Sequence, residues 1–242
     1  MKLRTGMTLL LLLAAGFSSM AQTTDEIVAK ALEARGGLAR LAAVQSQRIT
    51  GKISFDEGIE GRFVVEFKRP GKFHMDMTLA EKKVIRIFDG KSSGWSLNPF
   101  AGDTELQPMS ADDVANVREE SDFDGPFIDY KAKGNQIELA GKDKVEGKDA
   151  YRIKLTTKGG EVRSYHFDAT SFLLVKWEGK RKGQDGKEFD VESFFHDYRK
   201  VNGIQFAFEI VSGLPGAAPS QKIIVEKIEV DLAMDEAIFS KP

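Results

Sequence analysis

The 242-residue chain contains no cysteine. That absence excludes a disulfide scaffold, a thiol enzyme, a Cys-ligated zinc site and the acylated cysteine of an anchored lipoprotein. Histidine is nearly as scarce: His74, His166 and His196 stand alone in strand-like segments, with no HxH or HxxxH spacing between them. A zinc site needs three or four convergent ligands, so no metal and no cofactor is expected. The chain also lacks GxSxG, SxxK and HExxH, and no glycine-rich loop joins a strand to a helix. Carboxylates such as Asp56, Glu57, Glu60, Asp76, Asp168, Asp190 and Glu192 are too many and too scattered to single out an acid–base pair. The expectation is a protein that is not an enzyme.

Two further deficits narrow the partners. Beyond the first twenty-one residues no stretch is long and apolar enough to cross a bilayer, which takes roughly 20 residues, so an integral membrane protein is not expected. No basic stripe is present either. With Lys2 and Arg4 set aside, 33 basic residues face 37 acidic ones, a net charge of −4, which argues against nucleic acid.

What the sequence has is, first, a leader. Lys2 and Arg4 precede an apolar run centred on Leu9 to Leu13, and Ser19-Met20-Ala21 ends it with small residues at the −3 and −1 positions of a cleavage site. Residues 1–21 therefore read as a secretory signal peptide, with a mature chain from about Gln22 and an exported, freely diffusing product. Thr23-Thr24-Asp25-Glu26 then opens a helix with a hydroxyl cap and an acid three residues on. Ile27, Val28, Ala31 and Leu32 give it an apolar face, and Gly36-Gly37 stops it. Leu38 to Val44 adds one or two turns.

After Ser46 the period changes to two. Phe63, Val65 and Phe67 alternate through Arg62–Lys68; Phe73, Met75, Met77 and Leu79 alternate through the next segment; Lys83–Phe88 ends in the turn signal Asp89-Gly90 before Trp95. Ser110-Ala111-Asp112-Asp113 starts a second helix reaching Glu120. Seven more strand-like segments follow, linked by short turns such as Glu146-Gly147-Lys148, Gly159-Gly160 and Asn202-Gly203, with Gly213–Ser220 as a surface loop. Short turns require antiparallel neighbours, because a parallel crossover takes a dozen residues or more. The expected fold is mainly β (α+β): a single domain over residues 22–242 with one large antiparallel sheet. Only two clear helices are available to cover about ten apolar strand faces. Either a concave sheet around a pocket or a self-closing barrel would satisfy that imbalance.

Two groups of residues stand out. Met75 and Met77, beside Phe73 and Leu79, suit a lining that adapts to variable apolar partners, or equally an ordinary core. Arg69, directly before Pro70, is either an external charge or a multiple donor turned under a lid.

Phe67-Lys68-Arg69-Pro70-Gly71-Lys72-Phe73, Phe88-Asp89-Gly90-Lys91 and Trp95-Ser96-Leu97-Asn98-Pro99-Phe100 together resemble the periplasmic outer-membrane lipoprotein carrier LolA. Ile238-Phe239-Ser240-Lys241-Pro242 is similar to that family's closing Phe-x-x-Pro strand end, and Asp129–Tyr151 and Asp197–Ile204 resemble longer LolA-like lipoprotein-sorting proteins. The resemblance implies an unclosed half-barrel lidded by helices, with an apolar cavity for lipoprotein or lipid acyl chains. It implies that Arg69 lies inside and bonds lid-helix backbone, with Phe73 a wall residue and Phe63, Val65, Phe67, Met75, Met77 and Trp95 its neighbours. It also implies an inner-membrane release complex and an outer-membrane acceptor as partners. The chain departs from the family in its longer C-terminal half and in a strongly acidic second helix. The alternative is a non-catalytic structural or interaction module of the envelope, with the same half-barrel and a filled core.

Overall fold

The computed structural model describes residues 22–56, 58–182 and 187–241. The expected leader lies outside the described residues.

Helix α1 (Thr24–Arg35) starts where the sequence places it. The Thr23 hydroxyl accepts from the Glu26 N–H, and the Glu26 carboxylate accepts from the Thr23 N–H, so two orphan donors of the first turn are satisfied reciprocally. Its end is as specific. Gly36 has φ 144°, and a Cβ there would sit 2.9 Å from the Gly203 carbonyl oxygen, so only glycine lets α1 finish against the sheet. Helix α2 (Leu38–Ala43) adds a turn and a half and buries Leu41.

Strands β1 (Ser46–Phe55), β2 (Glu60–Lys68), β3 (Lys72–Leu79), β4 (Lys82–Phe88), β5 (Gly94–Leu97) and β6 (Gln107–Pro108) follow. Helix α3 (Ala111–Glu120) is capped by the Ser110 hydroxyl, which accepts from the Asp113 N–H. Strands β7 (Gln136–Val145), β8 (Lys148–Thr156), β9 (Val162–Asp168), β10 (Leu174–Lys182), β11 (Glu188–Val201), β12 (Ile204–Gly213) and β13 (Gln221–Val230) complete the sheet.

All thirteen strands form one antiparallel sheet in the order β6-β5-β4-β3-β2-β1-β13-β12-β11-β10-β9-β8-β7. The chain lays down β1 at the centre and works outward to one edge. It then crosses to the opposite edge and works back until β13 pairs with β1. The two edges, β6 and β7, are not bonded to each other, so the sheet curves without closing: an unclosed half-barrel, not a self-closing barrel. At the central ladder the register shifts between Thr50 and Gly51. A Cβ on Gly51 would lie 2.4 Å from the Ile224 carbonyl and 2.7 Å from the Phe63 ring, which packs across the bare backbone there.

The helices and the crossover segment cover one face of the sheet. The C-terminal residues cover part of the other, and here the sequence expectation is corrected. Phe239 does not end a strand; it belongs to a 3₁₀ turn, Glu236–Phe239, in contact with β3 and β4. It is buried to 1% exposure, and Glu236 reaches Lys68 and Lys72. The phenylalanine inserts as a plug because the residues before it (Asp231 onward) have left the ladder.

Candidate functional site

Directly paired residues of an antiparallel ladder share a face. Phe63 pairs with Met77, Val65 with Met75 and Phe67 with Phe73, and Phe73 pairs in turn with Phe88. The alternation seen in the sequence therefore lines up across strands into one apolar wall. Val114 and Val117 of α3, with Met109, pack onto Phe73, Phe88, Val65, Phe67 and Met75. Phe73 is 3% exposed and meets Phe67 edge-on, ring centroids 5.5 Å apart. Phe63 and Met77 lie further along the same two strands and are half-buried. Trp95 does not join them. It pairs with Ile87, Ile87 with His74 and His74 with Glu66, so the pleat turns it to the opposite, convex face. Proximity to the turn after β4 could be read from the sequence; the parity of the β4–β5 register could not.

The other wing of the sheet repeats the pattern. Ile27 and Ala31 of α1 pack onto Ile153, Leu155, Tyr165 and Phe167. Because β6 and β7 are opposite edges, the connection between them has to traverse the whole concave face, and α3 with residues 121–135 does so. Phe123 lies 6.0 Å from Phe67 on one wing, while Phe127 lies 4.8 Å from Tyr165 and 5.4 Å from Phe167 on the other. Ile128 is buried between them with Leu41, Val44 and Ile204.

Arg69 is the point where this cover is tied down. Its Nε donates to the Val44 carbonyl (2.7 Å) and one Nη to the Leu41 carbonyl (3.5 Å), both at the C-terminal end of α2. The Nη atoms also donate to both oxygens of Asp124, at 2.7 and 2.5 Å, a bidentate pair in which both side chains are half-buried. The guanidinium lies over the Phe123 ring, 4.6 Å from its centroid. One side chain on the sheet thus holds helix α2 and the crossover segment together. The hydrogen bond from Arg69 holds the Asp124 carboxyl below its ordinary range against the opposing effect of burial, and the Lys133 and Arg35 charges add to it; the Arg69 guanidinium is raised in turn.

Helix α3 has two more tethers. Arg86 of β4 donates to Glu120 at 2.6 Å, and Arg163 of β9 binds Glu119. Seven strands separate β4 from β9 in the sheet order. On a flat sheet, eight steps of about 4.8 Å would put them ~38 Å apart. That two consecutive residues, about 3.8 Å apart at Cα, reach both arginines measures how far the wings roll toward each other.

With the cover in place the spaces around the Arg69 tether are small. A cleft of about 150 Å³ opens beside Arg69, Phe88, Arg118, Ser121 and Phe123, and a smaller space of about 10 Å³ lies among Arg35, Leu41, Phe123, Asp124 and Phe206. Pockets for drug-sized ligands run roughly 300–1,000 Å³, so neither space admits a long acyl chain as it stands.

The histidines are turned outward as their strand parity requires, but His74 and His166 are not solvated. His166 is 3% exposed, with Nε2 2.8 Å from Glu178, and His74 contacts Glu66 at 3.1 Å. Among the described residues no group of three or more His, Asp or Glu could hold a metal ion, and no helix is long and apolar enough to cross a membrane. Sequence reasoning missed Asp124, Phe123, Phe127, Arg86 and Arg163. The first three sit in a segment with no period, where only the uneven placement of phenylalanines in Asp122-Phe123-Asp124-Gly125-Pro126-Phe127 could have marked it.

No protein-family model and no curated protein matches the sequence. Solved structures do match the fold. A LolA superfamily protein from Nitrosomonas europaea is 14% identical, with TM-score 0.56, covering 91% of this chain and 99% of that one. An outer membrane lipoprotein-sorting protein domain from Vibrio parahaemolyticus is 10% identical at TM-score 0.56, covering 88% and 95%. A DUF1329 family protein from Desulfovibrio piger is 12% identical at TM-score 0.55, covering 91% and 98%. The fold of this chain is LolA-like.

Proposed function

We propose that the protein is a periplasmic carrier that binds the acyl chains of a lipoprotein or lipid against its concave face and moves them toward the outer membrane. The observation that carries this reading is the Arg69 tether: a single residue of an apolar half-barrel fastens both α2 and the crossover segment over the lining. Burial of apolar surface is non-directional, so it is the tether that fixes where the cover sits on the wall. Phe63, Val65, Phe67, Phe73, Met75 and Met77 form the wall against which chains would lie, and the two methionines can repack around differing chains.

The energetics give the tether a purpose. Each buried CH₂ contributes roughly 0.8 kcal/mol, so a sixteen-carbon chain gains roughly 12 kcal/mol and would hardly leave without an opposing force. Re-forming the charge-assisted bonds of Arg69 over the emptied face supplies one, at about 1.5–3 kcal/mol for each such bond. Opening is required for loading at this site, because neither of the two small spaces described above admits a long acyl chain.

Those same small volumes favour the second reading, an envelope interaction module with a filled core. Organic extraction of the purified protein followed by mass spectrometry separates the two. The carrier yields bound lipid, and takes up added fluorescent acyl chains; the module does neither. Passage of cargo from an inner-membrane release complex to an outer-membrane acceptor belongs to the same proposal.

A further inference from the structure

Glu119 and Glu120 occupy the wrong end of α3. Negative charge at a helix C-terminus opposes the helix dipole, and the last turn of α3 carries two acids with Arg118 as its one base. Both carboxylates are instead used across space, on guanidinium groups of the concave wall. Arg86 pairs with Met75 in the β3–β4 ladder and lies over the Phe73 ring, 5.7 Å from its centroid. Arg163 pairs with Leu155, packed under α1, so it too belongs to the inner face. Neither arginine sits on the outer surface of the sheet, where a carrier wall would place charge without consequence.

Resting on the carrier reading, we propose that Arg86 and Arg163 are seats for the anionic head of the cargo, a carboxylate or phosphate, and that Glu119 and Glu120 fill them as stand-ins while the lid is closed. The polar partners of the two seats leave room for this exchange. Arg86 binds only Glu120 among the described hydrogen bonds and ion pairs. Arg163 spends Nε and one Nη on Glu161, at 2.8 and 2.6 Å, and interacts with the Tyr165 hydroxyl; its remaining Nη serves Glu119. An anion arriving from cargo would take those two positions, and the displaced carboxylates would release α3 from both wings at once. Cargo entry and lid release then become one exchange of anions, with no net loss of charge-assisted bonds. The acyl chain would run along the Phe73–Met75–Met77 strand beside the Arg86 seat.

The test uses the mature protein at pH 8 with three probes: dodecanoate, dodecan-1-ol and acetate. Wild type should bind dodecanoate about tenfold more tightly than dodecan-1-ol, the amount one charge-assisted bond supplies. Arg86→Gln with Arg163→Gln should bring the two to within about twofold, a loss of that one bond's share. Glu119→Gln with Glu120→Gln, which keeps both seats and the helix, should tighten dodecanoate more than dodecan-1-ol. Equal binding of the two alkyl probes by wild type, or a preference that survives loss of both arginines, overturns the anionic seats and leaves the carrier standing. Equal gains for both probes in the glutamine variant overturn the stand-in role. Failure of both alkyl probes to bind overturns the carrier reading and this inference with it. Saturation by acetate alone at the same concentrations overturns an amphiphile in favour of a free-anion site.

Discussion

Arg69 and Asp124 meet through two hydrogen bonds of 2.7 and 2.5 Å, although one lies at the end of β2 and the other beyond α3 on the chain's path to the far edge of the sheet. The pair joins the wall to its cover. Replacing Arg69 by leucine should therefore lower stability at neutral pH by about 2 kcal/mol, the order expected for losing bonds to a charged group. It should also slow delivery of a fluorescent acyl chain to acceptor vesicles while leaving uptake intact. Delivery at the wild-type rate would remove Arg69 from the release step.

The same pair sets an acid limit. Asp124 titrates below its ordinary value in the folded protein, so the unfolded chain takes up the proton first. Its contribution is complete above about pH 4 and is lost as the pH falls through the depressed folded value. Asp89 and Asp168 are also depressed, burial being outweighed by hydrogen bonds from loop N–H groups and neighbouring serines, and they share that window. The Asp124→Asn protein should accordingly be less stable than wild type at pH 7, with the difference shrinking on acidification below about 4. Denaturant titrations at several pH values measure it; a constant difference would contradict the assignment.

Gly51→Ala tests the central ladder. The new methyl would lie 2.4 Å from a backbone carbonyl, which cannot swing away as a side chain tip can. A loss of about 1–3 kcal/mol is expected from the overpacking. Thermal unfolding of the variant checks it, and an unchanged midpoint would mean the ladder yields more readily than its register shift indicates.

On the convex side, Phe239→Ala should cost about 3 kcal/mol, because a fully buried ring is removed from its place against β3 and β4. Glu236→Gln, at an exposed ion pair with Lys68 and Lys72, should change little, and that little should vanish in high salt. If the two variants were equally damaging, the C-terminal turn would be held by charge rather than by its phenylalanine.

Particular residues show how far the sequence was legible. Thr23 and Glu26, at capping-box spacing, located the start of α1 to the residue. The alternation of Phe63, Val65 and Phe67 with their partners on β3 gave a wall that the ladder assembles as expected, because period two is a local property. Phe239 was misplaced because the chain leaves the ladder after Val230 and turns into a 3₁₀ segment; Trp95 was misplaced for a reason of register. Which face a residue takes after a turn depends on the number of residues the turn consumes, and one residue inverts the answer. The cover was illegible for another cause. Asp124, Phe123 and Phe127 act through distant strands, and a segment that crosses a sheet rather than joining it has no period to read.

The seam between β1 and β13 has a consequence for how the molecule comes into being. The first strand is the neighbour of the last, so Gln47 waits for Val230 while nearly all of the sheet forms between them. Each wing can zip up hairpin by hairpin from local contacts, but their union draws on the most distant pairing in the chain and should be the slow, late event. Until residues 221–230 arrive, the two wings are separate sheets, each with an apolar face in water. A chain interrupted before that strand is thus expected to aggregate rather than to persist as a smaller carrier.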